Sequence, residues 1–386
     1  MQNISRLSIV FLVSAFILSS CNKESDKPLS FQIEKVDSVN IDFIGKMVFH
    51  DYDAKKKKYL LNSESPSVAL IEVDENGQIT YQFDLEDNGR NPIPGIASAG
   101  YVDDALYLYS YMFTFYKQKN SAEFVLDKLI PYEHTTLYMP VKLPVVKKTN
   151  EAVFYIKPLK ESFREDQTTF YERLYDQPLL EKHDLSTGKT HSYLKLPEES
   201  VFKSGLNHGI YVPTIKNVGK DWLLATWIDD KLFLYKEDGD SITFAKSIDL
   251  QIDGFVSFEG AALENGRQFY ESNRDMVHGN VNGIFDLSNY IVVTYQKGMR
   301  SEDVLNYRAQ YPSETSDFEI QKQNRYYAAI LDKSYNVLAS NVQLPYGISF
   351  PVAVNEKDEI LVKKNEEHFD QEEDVVTIYK LKITQE

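Results

Sequence analysis

Short runs of β-forming residues alternate with polar turns along almost the whole chain, and the alternation repeats. It is plainest at Lys58–Leu85, where Tyr59–Asn62, Val68–Val73 and Ile79–Leu85 form three such runs. Asp74-Glu75-Asn76-Gly77 joins the last two. An Asn-Gly pair between apolar runs predicts a hairpin turn with both central residues at positive φ. The run Tyr59–Asn62, the second strand of its unit, has counterparts at Ala105–Ser110, Ala152–Ile156, Trp222–Trp227, Tyr290–Tyr295 and Glu359–Val362, which makes six units. A preceding first strand is predicted at Ile44–His50, Gly95–Tyr101, Met139–Val146, Gly209–Lys216, Val281–Leu287 and Ile348–Val354. Third strands follow at Val68–Val73, Met112–Lys117, Leu179–Leu185, Lys231–Lys236, Arg325–Leu331 and Val375–Lys382.

Five units have a fourth strand: Ile79–Leu85, Glu123–Leu129, Thr190–Leu196, Ile242–Leu250 and Val337–Leu344. The sixth has none, because the sequence stops at Glu386. The run Phe31–Asp37 belongs to no unit and supplies the missing strand. Joining an N-terminal strand to three C-terminal ones removes the open edge of a ring of sheets. The pattern therefore predicts an all-β fold, a six-bladed β-propeller closed by an N-terminal strand, in a single domain over 31–386. Seven blades, or a division into two sheets, are alternatives open to the same pattern, because the units are unevenly spaced. The unevenness comes from long connections. Lys157–Pro178, Lys297–Asn324 and Lys363–Asp374 join second to third strands, and Glu86–Pro94, Pro197–His208 and Gln251–Asn280 lead into new units. In a ring of this kind all six fall on one face, where inserted loops on a rigid scaffold usually bind. Asp166–Leu174 and Ser301–Asn306 are read as short helical turns.

Residues 1–20 follow different rules. Arg6 precedes the apolar run Leu7–Ile17, which is too short to span a bilayer. Leu18-Ser19-Ser20-Cys21 follows, and Cys21 is the only cysteine, so no internal disulfide forms. The pattern predicts a signal peptide over 1–20, lipid attachment at Cys21 and a polar tether over 21–30. Acyl chains contribute about 0.8 kcal/mol of membrane affinity per buried CH₂. The expected location is the cell envelope, as an outer-membrane lipoprotein facing either the periplasm or the surface.

Charge narrows the partners. The formal net charge is −16, and removal of residues 1–20 takes away Arg6 and no acid, leaving −17. Such a chain repels nucleic acid. Aromatic residues make up 13 %, with 26 Tyr and 22 Phe, as a β-rich chain requires and as sugar-stacking platforms would also use.

Catalytic motifs are sparse. There is no HExxH pair, Walker loop, GxGxxG or GxSxG, and a lone cysteine excludes a CxxC zinc site. No metal site and no cofactor is expected. The most chemically varied stretch is Glu271–Asn280, which leads into the fifth unit, with Asn207-His208-Gly209 at the matching place before the fourth. Their convergence near the channel mouth makes Asn207, His208, Arg274, Asp275 and His278, with Glu259, the ligand-binding candidates. His and Arg would hold a carboxylate or move a proton.

The Leu18–Cys21 signal, the unit Asp221–Asp240 (DWLLATWIDDKLFLYKEDGD) and the segment Asn91–Ser110 (NPIPGIASAGYVDDALYLYS) resemble the Bacteroidetes lipoproteins of unknown function with six-bladed β-propeller folds. The resemblance covers nearly all of the chain after Cys21. It implies fold and location and supplies no catalytic residues. The expected function is a lipid-anchored binding or interaction module for a glycan, peptide or partner lipoprotein. The alternative is an envelope polysaccharide lyase or hydrolase with its site at the channel mouth.

Overall fold

The computed structural model describes residues 30–64, 67–85, 93–111, 114–131, 142–158, 166–369 and 374–385. The expected signal peptide, Cys21 and nearly all of the expected tether lie outside the described residues. Six antiparallel sheets of four strands each form the six blades of a ring. Blade 1 holds Met47–Asp53, Lys58–Ser63, Ala69–Val73 and Ile79–Asp84, in that order from the axis outwards. Blades 2 to 5 repeat this order.

Blade 6 differs as the sequence predicts. Its first three strands are Ile348–Val354, Ile360–Lys364 and Val375–Gln385, and its outer strand is the N-terminal Phe31–Asp42. The pairing runs from Phe31 opposite Gln385 to Asp42 opposite Val375, with one bulge between Lys35 and Asp37. The strand is five residues longer than predicted, because the bulge turns it over: Phe31 and Ile33 are buried against blade 5, and Val39 and Ile41 on the opposite face against blade 1. Between them Glu34–Ser38 is exposed, so the apolar pattern breaks while the ladder does not.

Apolar clusters fill the spaces between blades. One joins Phe154 and Leu180 of blade 3 to Trp222, Leu224 and Phe233 of blade 4. Another joins Val39, Ile41 and Ile378 of blade 6 to Phe49, Tyr59 and Ile71 of blade 1. Each blade thus buries both faces, which is why its second strand reads as a continuous apolar run rather than an alternating one.

Two expectations are corrected. In the Asp74–Gly77 turn only Gly77 takes a positive φ, +82°. The Asp74 carboxylate accepts the amides of Asn76 and Gln78 at 2.9 and 3.0 Å and closes the loop itself. Several first strands begin later than predicted: Ser98–Val102, Val145–Lys148 and Pro213–Val218 in blades 2, 3 and 4. The segments before two of them are apolar for another reason. Ile93, Ile96 and Tyr211 are buried against neighbouring blades or helices before the ladder starts.

All four described helices lie in second-to-third or blade-to-blade connections, on the one face predicted. They are α1 (Gln167–Asp176), α2 (Gly266–Asn273), α3 (Ser301–Gln310) and α4 (Ser313–Gln323). No described helix is long and apolar enough to cross a membrane.

Candidate functional site

The helical face is built outward from α1. Asp166 caps it by accepting the Thr169 amide at 3.0 Å, and Tyr171, Leu174 and Tyr175 form its buried side. Tyr175 Oη accepts the His208 amide at 2.9 Å and donates to the Gly209 carbonyl at 2.7 Å. Tyr211 Oη donates to the Leu174 carbonyl at 2.9 Å. Three hydrogen bonds therefore fix the segment leading into blade 4 against the helix. Asn207 is fully buried. Its backbone pairs both ways with Ala261, at 2.7 and 3.1 Å, and its Oδ1 accepts the Gly209 amide at 2.8 Å. His208 is buried, edge-on to Phe202, with Nε2 2.9 Å from Ser204 Oγ. Burial holds its pKa below the ordinary imidazole value, opposed by the Phe258 carbonyl.

The loop 258–260 separates His208 from His278. A Cβ on Gly260 would lie 2.8 Å from His208 Cε1. On the other side the Phe258 ring lies 4.3 Å from the His278 ring. Trp227 meets the same imidazole edge-on at 4.8 Å, so His278 is held between two aromatic rings. Burial lowers its pKa as well. Asn273, at the end of α2, clamps the loop: it accepts the Glu259 amide at 2.8 Å and donates to the Glu259 carbonyl at 2.9 Å. The Glu259 side chain remains exposed. The start of α2 abuts α1, with the Gly266 amide donating to Gln167 Oε1 at 3.3 Å.

Arg274 and Asp275 sit apart from this patch. Asp275 joins Arg274 and Arg308 of α3, both at 2.9 Å, and the Arg274 hydrogen bond holds its carboxyl below the usual range. The Arg274 side chain is 75 % exposed. The structure thus brings Asn207, His208, Glu259 and His278 together around one loop. It places Arg274 and Asp275 at the rim, as an ionic link between the blade 5 approach and α3. His208, Arg274 and His278 do not converge on the channel mouth, because Arg274 turns outward to its carboxylate and His208 is enclosed by Phe202 and the 258–260 loop. No carboxylate lies within hydrogen-bonding distance of either imidazole among the described residues.

Sequence reasoning missed Trp227 and Phe258, which frame His278, and the tyrosines of α1. Trp227 stood at the end of a predicted second strand, where its side chain read as core. It also missed α2, which is only eight residues long, and α4, whose polar sequence carries little apolar periodicity. Exposed aromatic and aliphatic side chains extend the surface: Tyr270 on α2, Leu305 on α3, Tyr311 beside it and Phe318 on α4. The described grooves of about 590 and 470 Å³ lie instead on the outer rim. One runs between blades 3 and 4 and the other between the closing strand and blade 5.

A ring of six four-stranded blades with helices gathered over one face defines the class: a six-bladed β-propeller with one elaborated face. No family model matches the chain, and no curated protein matches it. Among solved structures it is similar to a member of the DUF4221 family from Bacteroides vulgatus, at 13 % identity and a TM-score of 0.62, covering 93 % of this chain and 100 % of that one. A gluconolactonase from Xanthomonas campestris aligns over 93 % of this chain and 96 % of its own, at 6 % identity and a TM-score of 0.47. BamB from Moraxella catarrhalis aligns over 90 % and 99 %, at 8 % identity and a TM-score of 0.38. The first likeness extends over the full ring and bears out the resemblance to Bacteroides propellers at the level of the fold. The other two are too distant in shape to bear on function.

Proposed function

We propose that the protein is a binding module of the cell envelope, anchored by lipid at Cys21, that recognises a glycan, peptide or partner lipoprotein on the helical face of the ring. The observation that carries this reading is the one-sidedness of the elaboration. All four described helices stand over the same face, while the opposite connections are short turns. That face combines half-buried aromatic rings at Trp227 and Phe258 with exposed Tyr270 and the Glu259 carboxylate. Aromatic planes beside fixed polar groups suit sugar rings and extended peptides alike. The strongly acidic chain argues against nucleic acid as the partner.

The test is a melting-point screen with glycan and peptide panels, followed by calorimetry. A ligand of the native state raises the melting temperature by mass action. Trp227→Ala and Tyr270→Ala should each weaken the ligand found by about tenfold or more, the loss expected of a central aromatic contact. Full affinity in both variants would place recognition elsewhere on the ring.

A further inference from the structure

The first strands of the blades bring a second group of charges together, on the axis of the ring and independent of the helical face. Lys142 pairs with Ala99 beside the first strand of blade 2. Its Nζ lies 5.2 Å over the ring of Phe285, in the first strand of blade 5. The same ammonium feels the charges of Asp51 in blade 1 and Lys216 in blade 4. A side chain that starts beside blade 2 and reaches the opposite blade 5 crosses the axis. Lys142 keeps solvent-accessible surface toward the open channel, while its ammonium is surrounded by the blade walls. Asp51, Lys216 and Phe285 each stand within two residues of the end of their strand, at the short-turn side of the ring.

The charges here do not balance. Asp51 is committed to backbone: Oδ1 accepts the Tyr52 amide and Oδ2 the Tyr101 amide, each at 2.9 Å. A Cβ on Gly100 would come within 3.0 Å of Asp51 Oδ2, so glycine is what lets blade 2 approach the carboxylate. Burial pushes the Asp51 pKa up, which weakens it as a counter-ion. Among the described residues neither the Lys142 nor the Lys216 ammonium makes an ion pair or hydrogen bond. In a chain of net charge −16, two ammonium groups thus share the axis without a committed partner. Enclosed charges are ordinarily paired, since leaving them unpaired is costly.

We propose that the axial channel is an oxyanion site in which Lys142 and Lys216 together bind a small carboxylate or phosphate. Phe285 fixes the Lys142 head from below through its ring face. The anion would replace the repulsion between the two lysines with two attractions. The pH dependence follows. Burial first, and Lys216 second, bring the free Lys142 down to about 8, against the pull of Asp51. Asp51 and Lys216, with Asp53 behind Asp51, are the other charged groups facing it. The anion binds the protonated form, so affinity is full below that value and falls about tenfold for each pH unit above it.

Calorimetry of the whole protein with succinate, acetate and inorganic phosphate tests the site. Succinate should bind about tenfold more weakly at about pH 9 than at about pH 7. Lys142→Gln and Lys216→Gln should each cost at least about tenfold, while Lys189→Gln, in an exposed turn of blade 3, leaves affinity unchanged. Succinate binding above phosphate identifies a carboxylate as the source of the anion, and the reverse order a phosphate. Equal affinity in the wild type and Lys142→Gln would overturn the proposal. So would the absence of heat and of any melting-point rise with all three probes at about 20 mM. Should the variants not fold, ¹³C-dimethylated lysine resonances of the wild type serve instead. One should titrate near the depressed value and move upward on adding succinate, and a spectrum with no such resonance also overturns the site.

Discussion

Replacing Ile41 by alanine asks whether the N-terminal strand closes the ring or merely lies on it. Ile41 is fully buried, opposite Val376 across the ladder. It packs in the cluster that joins blade 6 to blade 1, with Phe49 and Tyr59 on one side and Leu361 and Ile378 on the other. The substitution deletes three carbon atoms, about 0.8 kcal/mol each in transfer free energy, plus the cavity left in a packed interface. The expected loss is about 3 kcal/mol, within the ~2–5 kcal/mol range of such truncations. Val36, at the bulge of the same strand, is 46 % exposed, and Val36→Ala should cost under about 0.5 kcal/mol. The assay is urea unfolding followed by both fluorescence and circular dichroism. The chain has two tryptophans, Trp222 and Trp227, both in or beside blade 4 and away from the closing strand. If the strand closes a cooperative ring, Ile41→Ala lowers the fluorescence midpoint as much as the circular dichroism midpoint, with the slope unchanged. A cost no larger than that of Val36→Ala would refute the reasoning. A fluorescence transition that ignores the substitution would refute it too.

Three further outcomes follow from particular contacts. Gly77→Ala should destabilise by about 2 kcal/mol or more in the same assay, because a Cβ there would lie 1.9 Å from the Asn40 carbonyl of the closing strand and φ is +82°. Asp229 is buried, accepting from Ser200 Oγ at 2.9 Å and the Val201 amide at 3.1 Å, and burial pushes its carboxyl up to about 6 from 3.8. A raised folded-state value means wild-type stability declines as pH rises from about 4 to about 6 and stays lower above. Asp229→Asn should therefore be more stable than wild type by roughly 1–3 kcal/mol at neutral pH, with the difference gone below about pH 4, in melting curves across pH. Cys21→Ser should release the protein from the membrane fraction and abolish incorporation of labelled fatty acid; unchanged fractionation would refute the lipid anchor.

The ring was legible because its signals are local and repeated. Second strands buried on both faces, such as Leu223–Ala225 and Ile291–Val293, read as unbroken apolar runs, and the unpaired Phe31–Asp37 completed the count. Strand starts were less legible where apolar residues before the ladder, such as Ile96 and Tyr211, pack between elements. The helical face was placed by loop length alone, since α3 and α4 are polar helices held by few buried side chains. The site residues were legible only in part. Asn207-His208-Gly209 announced a tight, polar approach to blade 4. Nothing local to Trp227 or Phe258 tells that they close around His278, some 20–50 positions along the chain. The axial group was hidden for the same reason: Lys142 and Phe285 meet only because the ring closes.

The central claim, that the helical face is the recognition surface, is tested most directly by hydrogen exchange on the protein with and without the ligand or partner captured in the screen. The account expects protection at 204–211, 257–279 and 300–324, with the short-turn connections on the opposite face unchanged. Protection confined to the short turns or to the outer strands of the blades would contradict it.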